Sequence, residues 1–229
     1  MSTFYIVPTP IGNLSDISGR ALEILGSVDV VLAEDTRRTK ILMDHFDINT
    51  SLISLHGHNE VSRIDGIIGR LNSGNSLALV SDAGTPLLSD PGAQLVSSVV
   101  EAGHKVIPIP GPSAILTALV GAGFPPVPFT FHGFVPKKKK IRNELLENIV
   151  GARDTSVVFE SPERLCVLLG DFQILAEEGR QIVVAREMTK IHEEFFRGTI
   201  DEAVSYFAES PPRGEVTVVI SPRVKEETD

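Results

Sequence analysis

Five times in its first 124 residues the chain repeats one pattern. A short apolar run ends in a polar loop, and a stretch with helical periodicity follows. The apolar runs lie at residues 4–7, 28–33, 52–55, 77–80 and 105–109, each long enough for one buried strand. The stretches between them carry apolar residues at helical spacing, as in Ile64, Ile67, Ile68 and Leu71 or Leu95, Val96, Val99 and Val100. Strand and helix in strict alternation predict a mostly parallel sheet with helices on both faces. Crossovers of this kind are nearly always right-handed, so all strand-end loops fall on one edge of the sheet. The polar loops at 8–13, 34–40, 82–86 and 110–114 are therefore expected to converge. Ser15 or Asp16 is expected to cap the first helix, and Ser89 or Asp90 the fourth.

The loop after the fourth strand is the most informative of these. Val80-Ser81-Asp82-Ala83-Gly84-Thr85-Pro86 takes an apolar strand directly into a glycine-bearing turn. Open α/β sheets bind small ligands outside the carboxyl ends of their strands, so this loop is the expected ligand cradle. Gly84 and Gly111 allow backbone to come close to a ligand. Asp82, Glu34, Asp35 and Glu160 add negative charge. A pyrophosphate prefers amides and cations to so many carboxylates, so a cationic ligand suits the set better. Each residue also has a plain structural reading: Asp82 as a turn former, and Glu34 or Asp35 as the ion-pair partner of Arg37, Arg38 or Lys40.

Other chemistries find little support. The chain has neither a GxxxxGK[ST] loop nor a GxGxxG turn after its first strand, and no GxSxG elbow. His56 and His58 have no second ligand cluster beside them, so no metal is expected; substrate contact or helix capping suits them better. The single cysteine, Cys166, cannot form an internal disulfide, which fits a reducing compartment. No apolar run approaches the ~18 residues of a membrane span, and residues 1–4 have no basic leader character. These features predict a cytoplasmic protein with no membrane partner. A formal net charge of -9 argues against a general nucleic-acid coat protein but not against a local basic patch.

A proline-rich linker at 123–128 marks a change of pattern and sets a boundary between residues 1–124 and 125–229. The second part reads as α+β with an antiparallel sheet: a half-exposed strand at 129–134, a helix over 137–150, and a hairpin formed by 182–185 and 193–197. A final strand at 214–220 is followed by a charged tail. Its helix over 137–150 starts with Lys137, Lys138, Lys139, Lys140 and Arg142, where cations oppose the helix dipole. A solvated helix start explains such a run, and so does a phosphate-bearing partner.

Five motifs, in this order and spacing, resemble those of a known family: Tyr5-Ile6-Val7-Pro8-Thr9-Pro10-Ile11-Gly12-Asn13-Leu14, Ala33-Glu34-Asp35-Thr36-Arg37, the loop from Val80 to Pro86, Pro110-Gly111-Pro112-Ser113-Ala114, and Phe159-Glu160-Ser161-Pro162. Together they are similar to the tetrapyrrole methylase superfamily, and within it to the branch of ribosomal RNA small subunit methyltransferase I. The resemblance implies two α/β domains. The first has a mostly parallel sheet and the second a mixed or antiparallel one, with S-adenosylmethionine in the cleft between them, in a homodimer. It implies 2′-O-ribose methylation of a cytidine in the decoding region of small-subunit (16S) ribosomal RNA, with that RNA or the 30S subunit as partner.

Carried onto this sequence, the cofactor candidates are Pro10, Asp82, Gly84, Thr85, Ser113, Ala114, Phe159, Val216 and Thr217. Candidate bases are Glu34, Asp35 and Glu160, with Arg37 orienting the RNA or assisting the hydroxyl. RNA-contact candidates are Arg38, Lys40, the four lysines at 137–140 and Arg142. Longer members carry an extra C-terminal helical segment, whereas this sequence stops at Asp229. The alternatives are a superfamily methyltransferase with a tetrapyrrole or protein substrate, and a non-catalytic RNA-binding factor.

Overall fold

The computed structural model describes residues 2–223, so the charged tail expected at 225–228 lies outside the described residues. The chain divides into two compact units between Ser113 and Ala114.

In the first unit, β1 (Thr3–Ile6), β2 (Val30–Ala33), β3 (Ser51–Ser54), β4 (Leu77–Val80) and β5 (Lys105–Pro108) form an all-parallel sheet in the order β3-β2-β4-β1-β5. The connection after β1 runs toward β2 and β3, and that after β4 runs to the opposite edge. The carboxyl ends of β1 and β4, side by side, are thus the topological switch point where ligand crevices form. The strands read as unbroken apolar runs because both faces are covered. Val31, Ala78 and Val80 pack under α1 (Gly19–Ser27) and α2 (Thr36–His45), alongside Leu25 and Met43. Leu32, Leu77 and Leu79 pack under α3 (Glu60–Asn72) and α4 (Ala93–Glu101), alongside Leu71, Leu95 and Val99.

Three local expectations are corrected. Ser18, not Ser15 or Asp16, caps α1, accepting from the Ala21 N–H at 3.1 Å; residues Leu14–Asp16 form a separate 3₁₀ turn. Most of the polar stretch 34–40 is helix, because the Asp35 side chain caps α2 and starts it at Thr36. Neither Ser89 nor Asp90 caps α4. Leu87 and Ser89 have φ of 77° and 79° and Gly92 has 117°, so the loop turns back before the helix begins. The cap comes from another element: buried Glu60 of α3 accepts from the Leu95 N–H at 3.0 Å, placing its charge at the positive end of α4.

In the second unit, β6 (Phe129–Phe134), β7 (Thr155–Glu160), β8 (Gln181–Arg186), β9 (Glu194–Thr199) and β10 (Val216–Ile220) pair in the order β6-β7-β10-β8-β9. The sheet is mixed, not antiparallel throughout. β6 runs parallel to β7 because the helix α6 (Lys139–Gly151) carries the chain back between them. α6, α7 (Pro162–Leu175) and α8 (Ile200–Glu209) cover one face, where Leu146, Leu168 and Phe207 meet Val158, Val184 and Val218. A capping box between Thr199 and Glu202, unread in the sequence, starts α8. α5 (Ala114–Ala122) packs on β9 and β10, so by its contacts it goes with the second unit, ahead of the linker at 123–128.

Candidate active site

At the switch point of the first sheet the strand-end loops converge as expected. Thr9 and Gly84 exchange two backbone hydrogen bonds of 3.0 Å, a bridge joining the loops after β1 and β4. The Thr9 hydroxyl donates to the Ser81 carbonyl at 3.1 Å, and the Thr85 hydroxyl donates to the Pro112 carbonyl at 2.9 Å. Gly84 has φ of 79°, and a Cβ there would come within 3.1 Å of Ile11. At Gly111 a Cβ would stand 2.8 Å from the Pro8 ring, so only glycine lets these two loops touch. A cavity of about 170 Å³ opens beside them, lined by Thr9, Pro10, Gly12, Arg38, Ser81 and Asp82. That is below the ~300–1,000 Å³ of a whole small-molecule site, so it can hold only part of a cofactor.

The carboxylates at this edge differ sharply. Asp82 accepts the Asp35 N–H at 3.0 Å and pairs with Arg38 at 3.4 Å, tying the β4 loop to the start of α2. Asp35 takes the Arg37 N–H at 2.9 Å and two donors of the Arg37 guanidinium at 3.0 and 2.8 Å. Those bonds to Arg37 hold its carboxyl down at about 2. Glu34 is raised instead, first by burial and then by the charge of Asp82. Asp90, read in the sequence only as a helix cap, is pushed up to about 6 by burial and then by Glu34, with Ser81 as a hydrogen-bond donor. Its sequence neighbourhood gave no hint: the left-handed residues at 87, 89 and 92 carry it back to the strand edge. Glu34, Asp82 and Asp90 thus form a carboxylate group short of positive charge, and a cation would be welcome there. The buried Nδ1 of His56 has no hydrogen-bond partner among the described residues, and His56 opposes the shift of Glu34. No group of three or more His, Cys, Asp or Glu able to hold a metal occurs among the described residues.

In the second unit, Phe159 and Thr217 are cross-strand partners on β7 and β10, on the sheet face away from α6–α8. Val216 points the other way, into the core with α6–α8, so only its backbone is available to a ligand. Glu160 is buried and fully engaged. One oxygen accepts the Ser161 N–H at 2.8 Å; the other meets Arg164 at 2.9 Å and Arg142 at 3.5 Å. Arg142 is itself buried and bound to Asp171 at 2.7 Å, which removes it from the RNA-contact candidates. Lys137, Lys138, Lys139 and Lys140 stay exposed. Lys40 is paired with Asp44 at 2.6 Å on the surface of α2. Ser113 is buried at the end of the first unit, and Ala114 is the first residue of α5.

Residues 3–204 match the family model for tetrapyrrole (corrin/porphyrin) methylases. The chain belongs to this family. Among curated members, Ribosomal RNA small subunit methyltransferase I of Synechocystis is 45% identical over 96% of this chain and 79% of its own. The protein of the same name from Thermotoga maritima is 46% identical over 96% of this chain and 99% of its own. Among solved structures, a cobalt precorrin-4 methyltransferase of cobalamin biosynthesis superposes with a TM-score of 0.71 at 17% identity, covering 96% of this chain and 94% of that one. That likeness shows the shared methylase fold, in which sheet and helix arrangement are kept while the sequence changes.

Proposed function

We propose that this chain is an S-adenosylmethionine-dependent methyltransferase that methylates the ribose 2′-hydroxyl of a cytidine in the decoding region of 16S ribosomal RNA. The observation that carries this is the 45% identity over nearly the whole chain to a curated small-subunit ribosomal RNA methyltransferase I. The site chemistry is compatible with it. Glu34, Asp82 and Asp90 supply negative potential for a sulfonium, and the Gly84 and Gly111 loops supply a close backbone wall with Pro10, Thr85 and Ser113 beside it. When bound, the cofactor supplies the electrophilic methyl group.

The protein's own part is to hold the acceptor hydroxyl in line and to take its proton. Of the candidate bases, Glu34 fits best, since burial and the neighbouring Asp82 raise its carboxyl and make it the better proton acceptor. Asp35, at about 2 and bound to Arg37, is a poor proton acceptor, and its role is to hold Arg37 and start α2. Glu160 has no oxygen to spare, so its role is to fix Arg164 and Arg142. Arg37, exposed on the first turn of α2, and Arg38 are available to RNA phosphate. The enzyme works as a homodimer in the cytoplasm.

The test is incubation of labelled S-adenosylmethionine with 30S subunits that lack this methylation. Label on a ribose of 16S RNA is the expected result. Label on a base or on protein, or cofactor binding without transfer, would sink the assignment.

A further inference from the structure

The parallel pairing of β6 with β7 contains a bulge. Phe131 faces Val157, but Phe134 faces Phe159, so one extra residue sits on β6 at His132 and Gly133. The bulge puts Phe134 on the same sheet face as Phe131 and Phe159, whereas strict alternation would turn it to the opposite face. The three rings stack edge to face, Phe159 lying 4.9 Å from Phe131 and 5.4 Å from Phe134. The trio is not a closed core, since 58% of Phe134 is exposed.

The segment that carries Phe134 is held firmly. Buried Val135 donates its N–H to the Phe159 carbonyl at 3.2 Å, and Arg164 donates to the Val135 carbonyl at 2.6 Å while bound to Glu160. Lys137, Lys138 and Lys139 follow at once, exposed and without an ion-pair partner among the described residues. A rigid exposed aromatic ring beside three uncompensated cations matches what single-stranded nucleic acid offers: a base to stack and phosphates to neutralise. A second copy of this chain fits worse, because a symmetric contact would set one lysine cluster against the other.

Resting on the RNA reading above, we infer that Phe134 is a stacking platform for a base of single-stranded RNA whose backbone phosphates lie on Lys137, Lys138 and Lys139. The charged pair Glu160–Arg164 serves as its brace.

The chain has no tryptophan, so a Phe134→Trp variant carries one fluorophore at the position in question. Its emission should be quenched by a single-stranded ten-cytidine RNA and much less by a duplex of equal length. Phe134→Ala should weaken binding of the same RNA about tenfold with an unchanged salt slope. Replacing Lys137, Lys138 and Lys139 together by Ala should instead lower that slope by about 2. Unquenched emission, or wild-type RNA affinity in Phe134→Ala, overturns the platform. A Phe134→Ala variant whose oligomeric mass changes without loss of RNA affinity overturns it in favour of a protein contact. The function proposed above is read separately: wild-type protein that puts no label on 30S ribose fails that reading, whereas transfer at the wild-type rate and KM by Phe134→Ala fails only the platform.

Discussion

The two units each hold a partly buried group of charges, and the two groups are built on opposite principles. In the second unit, Glu160 is surrounded by Arg142, Arg164 and a backbone N–H, and Arg142 is bound in turn to Asp171. Each carboxylate there faces at least one guanidinium, so opposite charges are paired. At the strand edge of the first unit, Glu34, Asp82 and Asp90 crowd together with Arg38 as the one direct ion-pair partner among the described residues. There the mismatch shows in Glu34 and Asp90, whose carboxyls are both raised by burial and by neighbouring carboxylates. Satisfied charge fixes structure; unsatisfied charge marks a candidate place for a ligand or for proton transfer.

Breaking the satisfied group should have the largest effect on folding. Glu160→Gln strips the counter-charge from two arginines, one of them buried, and should cost about 3–5 kcal/mol in urea unfolding. A loss below about 1 kcal/mol would mean that the arginines find other partners and that the contrast is overdrawn. Glu34→Gln should do the reverse: folding stability unchanged or slightly raised, and single-turnover methylation slowed by roughly 10²–10⁴-fold. Wild-type rates would transfer the base role elsewhere, with Asp90 the next residue to test.

A smaller effect concerns pH. The Asp90 carboxyl sits at about 6, above its ordinary 3.8. The stability gained by keeping it protonated is therefore full below pH ~3.8 and is lost as pH rises through 6. The apoprotein should be less stable at pH 7.5 than at pH 5 from this source. Asp90→Asn should recover on the order of 1 kcal/mol at pH 7.5, the full linkage being reduced by solvent screening. Affinity for S-adenosylmethionine should rise over the same interval, as Asp90 ionises toward its cation; affinity flat from pH 5 to 7.5 would separate Asp90 from the cofactor. The smallest effect belongs to Arg37→Ala. It should leave stability nearly unchanged, since the pair is exposed, yet let the Asp35 carboxyl climb from about 2 toward its ordinary value in an NMR titration.

The strand–helix alternation, the convergence of four loops and the importance of Gly84 and Gly111 were all legible in the chain. Each follows from local pattern: apolar runs of strand length, turn residues at their ends, and a crossover rule with one hand. The five motifs likewise sufficed to place the family. Long-range partners were not legible. That Glu60 caps α4 from α3, that Asp90 folds back to Glu34, and that Arg142 leaves its lysine neighbours for Asp171 and Glu160 are decided by contacts distant in the chain, or by backbone turns at non-glycine residues. Only packing sets how far a charge is from water and which charge faces it, and these two quantities separate a structural carboxylate from a reactive one. The sequence by itself determined the fold class, the edge where the strand-end loops converge, and the family. Tertiary structure decided which of its acidic residues are paired with arginines and which are left short of positive charge.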